Sequence, residues 1–421
     1  MPAAFLRLWL GQWLSNLGTQ ISFYGLGLWL LGRSGQFQTL AAVALVVQLG
    51  RLLAVPLLTR WLQRYSQRRL IAAAYAVGGL LTLVLAGLLL RWGLAVPLSL
   101  VLLLLGLGAL AEALLVISFS SLIPALVPPA QLGRANGLFA TTDGLVYLVA
   151  PFLGALLAAR LGLLGVVALD GATFVLALLC VGLGAWPQST GGLQASAGPS
   201  GLRLATRRLW RQPRLAALLL LGQGLMVGFA AAELLFPAWV LAALGPDRLG
   251  RALGLSGLAY GLGMLLWQGL AGRRHLWPRV LLAGLTLQAC VLVGAGLQWC
   301  QDTTWIWLLG VALFNLAVPP VLAAQQSLWH HWVPASQQRA WFAARYAWDW
   351  LARLVCIACL GGLVDRWVQP LLQTWAWPWL GQGPGRSLAV TLALVGVAQL
   401  CLLACQGRGL LRRDGKLPPC A

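Results

Sequence analysis

The chain has 421 residues, 60% of them hydrophobic and 9% charged, with a mean hydropathy of +0.82 and a net charge of +20. A soluble domain wets its surface with about 25% charged residues, so a large water-soluble helical protein is excluded. The placement of the charge excludes a nucleic-acid binder, because 28 arginines and one lysine are scattered between apolar runs instead of forming a basic face.

Near-continuous apolar runs such as 70–90, 96–116 and 280–297 each match the ~20 residues that cross a ~30 Å hydrocarbon core. Lipid offers no partner for exposed backbone groups, so these runs must be helices. The pattern predicts twelve spans, at about 5–31, 38–59, 70–90, 95–122, 136–160, 164–186, 215–243, 250–271, 279–299, 305–329, 340–364 and 387–406. An even number places both termini on one side. Counted on that basis, the terminal side holds 19 basic residues and the opposite side seven. The positive-inside rule then makes both termini cytoplasmic, in a multi-pass inner membrane protein.

The first span begins at Phe5 and is too long for a cleavable leader. It carries Asn16, Gln20 and Tyr24 one turn apart, a polar stripe for the cavity or a neighbouring helix. The second span has Arg51 near mid-depth, and the loop after it holds Arg64 and Arg68. Glu112 in the fourth span, Asp143 in the fifth and Glu233 in the seventh stand as lone acids at membrane depth. Such a group costs about 2.5–3.5 kcal/mol to insert, so it asks for a reason. A carboxyl poised to load and release a proton is one; a structural, hydrogen-bonded carboxyl is the other.

Residues 187–213 form the longest polar stretch and divide the chain into an N-terminal bundle, 1–186, and a C-terminal bundle, 214–421. Its second half alternates Arg with Leu and Trp, reading either as a short helix on anionic headgroups or as a loose basic linker. In the tenth span Asn315 precedes Pro319-Pro320, which should kink the helix and free carbonyls toward the cavity. In the eleventh, Arg345, Asp349 and Arg353 share one face at i, i+4, i+8 and leave it net positive. Either another helix supplies an acid there or an anionic substrate does.

His330-His331 beside Trp329 and Trp332 reads as an interfacial cluster, and the 22 tryptophans, Trp375, Trp377 and Trp379 among them, as an aromatic belt. The Cys356/Cys359 pair lies in an apolar helix without flanking ligands and reads as packing. No nucleotide loop or nucleophile motif occurs, so no catalysis, cofactor or metal is expected and energy would come from an ion gradient.

The halves look related. Val127-Pro128-Pro129-Ala130-Gln131-Leu132-Gly133-Arg134-Ala135 before the fifth span matches Val333-Pro334-Ala335-Ser336-Gln337-Gln338-Arg339-Ala340 before the eleventh, with one deletion. Gly11-Gln12 likewise corresponds to Gly222-Gln223. Matched six-span halves mark a transporter built from repeats.

Three stretches then carry a family resemblance: Leu122-Ile123-Pro124-Ala125-Leu126-Val127-Pro128 through Arg134-Ala135-Asn136-Gly137; Ala150-Pro151-Phe152-Leu153-Gly154-Ala155; and Leu169-Asp170-Gly171-Ala172-Thr173-Phe174. The chain resembles the major facilitator superfamily and, within it, the macrolide and siderophore exporters. The second stretch is similar to that family's antiporter motif, which makes Pro151 and Gly154 gating candidates. The loop 59–69 keeps the family's arginines but has Gln63 in place of its gate acid, and Thr19 stands where the branch often has an acid.

The resemblance implies an all-α membrane fold of two pseudo-symmetric six-helix bundles. It also implies that spans one, four, seven and ten line the cavity. Glu112 is then the first choice for proton coupling, with Asp143, Glu233 and Asp349 as further candidates. Asn315 takes the corresponding place in the tenth span. Spans two and eleven meet in that fold, so Arg51 is expected to pair with Asp349 in one state. Asn16, Gln20, Tyr24, Asn315, Arg345 and Arg353 are the expected substrate contacts, and Arg51, Arg64 and Arg68 join Pro151 and Gly154 in gating. The expected partners are a small-molecule substrate, protons and membrane lipids, with the chain working as a monomer. The reading is a proton-coupled exporter of a small amphipathic molecule. A facilitator or importer, or a non-transporting assembly factor or receptor, is the alternative.

Overall fold

A computed structural model describes residues 1–34, 37–183, 199–244, 246–296, 304–334, 337–374 and 385–411. Every regular element among them is helical. The long helices are α1 (Ala3–Ser34), α2 (Phe37–Arg64), α3 (Gln67–Trp92), α4 (Leu98–Leu126) and α5 (Leu132–Gly182). The short α6 (Pro199–Arg211) is followed by α7 (Pro213–Leu244), α8 (Pro246–Leu270), α9 (Trp277–Gly296), α10 (Thr304–Trp332) and α11 (Gln338–Gly362). A π-helical turn (Leu363–Val368) leads into α12 (Gln369–Thr374), and α13 (Arg386–Leu411) ends the described chain.

Seven helices among the described residues are long and apolar enough to cross a membrane. Their outer faces keep large apolar side chains in the open, Leu83, Leu90, Leu103, Leu179 and Leu309 among them. Water would penalise such a surface and a hydrocarbon core accepts it.

The fifth and sixth predicted spans follow one another without a loop, as the two parts of α5, a run of 51 residues. The division falls at Gly162, with φ 67° and ψ 174° inside otherwise helical backbone. Only glycine adopts that conformation at little cost. The basic linker is helical over Pro199–Arg211, which favours the first of its two readings, while residues 184–198 lie outside the described part.

Close-packed positions divide the chain into two compact units. One comprises Met1–Ala135, Leu145–Arg208 and Val333–Trp350. In it α4 packs against α2 and α3, and the second part of α5 lies along α1. Its core includes Leu26, Leu85, Leu89, Val101 and Val167. The α1–α5 seam rests on Gly11, Gly18 and Gly25, seven residues apart. A Cβ at these three would meet Cys180, Thr173 and Val166 in turn, so the two helices run antiparallel at close range.

The other unit comprises Asn136–Gly144, Leu209–Trp332 and Leu351–Ala421. In it α13 packs on α9 and α7, and α10 on α8 and α9, around Trp239, Tyr260, Phe314, Leu360 and Leu392. The first residues of the fifth span belong here, close to α8: a Cβ at Gly137 would strike Trp267 and one at Gly144 would strike Tyr260.

Pro319 and Pro320 sit inside α10, which continues to Trp332 as one helix. The carbonyl of Leu316, which Pro320 leaves without its usual donor, faces Gly263 of α8, where a Cβ would come within 2.2 Å of it. The freed Leu316 carbonyl therefore meets a neighbouring helix at Gly263. Gly263→Ala is expected to cost about 1–3 kcal/mol or more, because backbone would have to move. Gly254→Ala in the same helix meets nothing within 4 Å and should be neutral or slightly stabilising. Melting of the two variants in detergent checks the contrast.

Candidate functional site

Three ion pairs hold most of the charges expected at depth. Glu112 is the central residue of α4, about 21 Å along the helix from either end. It is not a lone acid. Arg51 of α2 reaches it with Nη2 at 2.7 Å from both carboxylate oxygens and with Nε at 3.2 Å from Oε2. Arg51, expected to pair with Asp349 in one state, pairs here with Glu112. The fork geometry orients both side chains. The pair keeps some exposure, 18% for Arg51 and 36% for Glu112.

Glu233 is also paired. Arg353 of α11 donates to its Oε2 and lies over the ring of Phe229, one turn away on α7. The acid that the eleventh span's excess of arginine called for therefore comes from α7. Asp349 meets Arg345 on its own helix, Nε to Oδ2 at 3.3 Å, an ion contact without hydrogen-bond alignment. Each of these two side chains is only 5% exposed. Arg345 also stacks over Tyr346, whose hydroxyl is 2.7 Å from that of Ser120 in α4.

The first-span stripe of Asn16, Gln20 and Tyr24 is half-buried. Gly154 lies against it, since a Cβ there would be 3.0 Å from Tyr24 Cβ and from the Ile21 carbonyl. Asn315 of α10 donates to Ser256 Oγ of α8 at 3.3 Å and to the Val311 carbonyl at 2.9 Å. Arg64 is exposed at the end of α2. Arg68 donates to the Gly182 carbonyl at 3.0 Å and Arg7 to that of Leu183. Together they close the C-terminal end of α5 with positive charge, where the helix dipole favours it. Pro151 and Asp143 lie in α5, but their side chains fall outside the described residues.

Two expectations from the tryptophan and histidine pattern need correction. Trp329 is fully buried and His330 is 5% exposed, so neither lies at an interface. Asn136 Nδ2 donates to Ser327 Oγ and to His330 Nδ1, both at 3.0 Å. Trp267 and Trp277 are likewise buried, so part of the tryptophan complement fills cores rather than a belt. Trp375, Trp377 and Trp379 lie outside the described residues.

Sequence reasoning passed over one buried charge. Asp170, in the second part of α5, is 5% exposed and accepts a hydrogen bond from Thr19 Oγ1 of α1 at 3.1 Å. The hydroxyls of Ser22, Thr82 and Thr173 are also within its hydrogen-bonding reach. An acid six residues into an apolar span was signal enough, by the rule applied to Glu112.

Comparison with known proteins agrees with this architecture. The family model of the Major Facilitator Superfamily matches residues 8–273, more than half of the chain. No curated protein matches it. Among solved structures, a bacterial homologue of the iron transporter ferroportin, in an outward-facing state, is similar at a TM-score of 0.71 and 17% identity, covering 95% of this chain and 99% of that one. The Escherichia coli fucose:proton symporter follows at 0.70 and 13%, covering 96% and 98%. A proton:xylose symporter bound to a bromodeoxyglucose gives 0.71 and 14%, covering 96% and 94%. At these identities the likeness is one of fold. With the family match and the apolar helices, it makes the chain a member of the Major Facilitator Superfamily, a multi-pass membrane transporter and not an enzyme.

Proposed function

We propose that the protein is a secondary transporter that exports a small amphipathic molecule by alternating access, in exchange for protons. On this reading it acts as a monomer in the inner membrane, with both termini cytoplasmic. Its two six-span bundles, 1–186 and 214–421, are joined by the linker 187–213. The observation that carries the reading is the Arg51–Glu112 pair, at mid-depth and still partly open to its surroundings. A proton arriving at Glu112 neutralises the carboxylate and releases Arg51; departure of the proton lets the pair re-form. A switch of this kind alternates between a neutral pair and a freed Arg51, whose charge must then find a new partner. Export by the macrolide and siderophore branch is supported by the Pro151–Gly154 stretch and by the close approach of Gly154 to α1.

A facilitator is the second reading, favoured by the pairing of both Glu112 and Glu233 with arginine. Inside-out vesicles carrying the protein and offered ethidium separate the two. Concentrative uptake that a protonophore abolishes is expected, and Glu112→Gln should lose it while still exchanging dye across the membrane. Uptake that only runs down the gradient and ignores the protonophore would leave the facilitator. Movement no faster than in protein-free vesicles, across a panel of amphipathic dyes, would remove transport of this class.

A further inference from the structure

We propose that Asp170, Thr19, Ser22, Thr82 and Thr173 form a binding site for one monovalent cation, a sodium ion or a proton, between α1, α3 and the second part of α5. A carboxylate 5% exposed in an apolar bundle needs a compensating charge or a proton. No cation pairs with Asp170 among the described residues. Besides Asp170, the ionisable groups with described side chains on the three helices are Tyr24, against Gly154; Tyr75, hydrogen-bonded to Gln12; Cys180, against Gly11; and Arg7, Arg68, Arg69 and Arg91 near the helix ends. None of them neutralises Asp170.

The hydroxyls bring oxygen atoms to the carboxyl but no positive charge. Each carries one proton to donate and two lone pairs. Thr19 donates to Oδ1. Ser22 Oγ also has the Val166 carbonyl at 3.3 Å, and Thr173 Oγ1 the Asp170 carbonyl at 2.7 Å, so one proton on each is shared between backbone and carboxyl. Hydroxyl donors soften the burial of a carboxylate without balancing its charge. Oxygen donors of this kind suit a hard cation. The single formal charge balances one positive charge and would leave a divalent ion half-compensated.

Packing fixes the cluster in place. A Cβ at Gly18 would fall 2.4 Å from Thr173 Oγ1 and 3.1 Å from Asp170 Oδ1, so α1 meets α5 here without a side chain between them. Gly78 of α3 closes on Phe174 in the same way. The ligands Thr19 and Ser22 lie toward the seam side of α1 marked by Gly18, turned away from the stripe of Asn16, Gln20 and Tyr24. A cation bound behind that stripe would hold α1 against α5.

The test measures binding and needs no knowledge of the transported solute, so its failure is separate from any failure of transport. The full chain is melted in detergent in sodium chloride and in choline chloride at equal ionic strength, across a pH series, beside Asp170→Asn. Stabilisation of the unmodified protein by sodium that Asp170→Asn does not share assigns a sodium ion. Stabilisation by falling pH alone, absent in Asp170→Asn, with a protonated-carboxyl infrared band that the variant lacks, assigns a proton. Identical responses in both proteins, no response in either, or stabilisation by calcium or ferrous ion alone would overturn the site. Should Asp170→Asn not fold, the double variant Ser22→Ala/Thr173→Val keeps the carboxyl. It is expected to shift the sodium or proton midpoint about tenfold; an unchanged midpoint would overturn the proposal.

Discussion

Replacing Asp349 with alanine is expected to destabilise the folded protein by about 3–5 kcal/mol, the range for removing one partner of a buried ion pair. Both Arg345 and Asp349 are 5% exposed, so water cannot take over the guanidinium's compensation when the carboxylate is gone. The double variant Arg345→Met/Asp349→Leu removes both charges and keeps volume and apolar contact. It is expected to be near neutral, or more stable than the unmodified chain. Equilibrium unfolding in mixed micelles gives both values. A single-variant loss below about 1 kcal/mol would mean that Asp349 does not carry the neutralisation of Arg345.

Charge reversal at Arg51 or Glu112 should reduce transport about tenfold. The partial exposure of the pair moderates the electrostatic cost to about 1–2 kcal/mol. Arg51→Glu places two carboxylates where a two-pronged contact was, and Glu112→Arg places two guanidinium groups there. Combining the reversals restores the pair with its polarity exchanged, and activity should return to within about threefold of normal. Arg51→Glu with Asp349→Arg, the combination that sequence reasoning alone would choose, should give no rescue. Initial rates of dye uptake in vesicles measure all four. Rescue by the Asp349 combination and not by the Glu112 one would overturn the pairing.

These two cases show where sequence reasoning succeeds and where it stops. Helix existence was legible because lipid enforces it: runs of about 20 apolar residues have no other stable form. The shared face of Arg345, Asp349 and Arg353 was legible because helical spacing is local. Which acid meets which arginine was not. Glu112 lies 61 residues from Arg51, and Glu233 lies 120 from Arg353. A single chain carries no record of contacts at those separations. The acids therefore looked alone when each had a partner on another helix.

Trp329 and His330 illustrate the converse error. Their types suit a membrane interface, but both are buried, and His330 meets Asn136, a hydrogen-bond partner that only folding brings near. The loss of donors at the proline pair is legible from residue type alone. That the freed Leu316 carbonyl meets Gly263, a residue of another helix, is not. Asp170 is equally visible in the sequence, but its stretch also carries the family likeness, which accounts for the residues without asking what balances the charge.

The one-residue joint at Gly162 sets a limit on how this protein can change. With helix on both sides, an added or deleted residue cannot be taken up by slack; it lengthens or shortens one of the helices and turns the downstream segment by about 100°. Eight positions further along, that rotation would swing Asp170 away from Thr19 and toward the lipid. Relatives that share the cluster should therefore vary freely in the letters flanking this joint and hold its length constant.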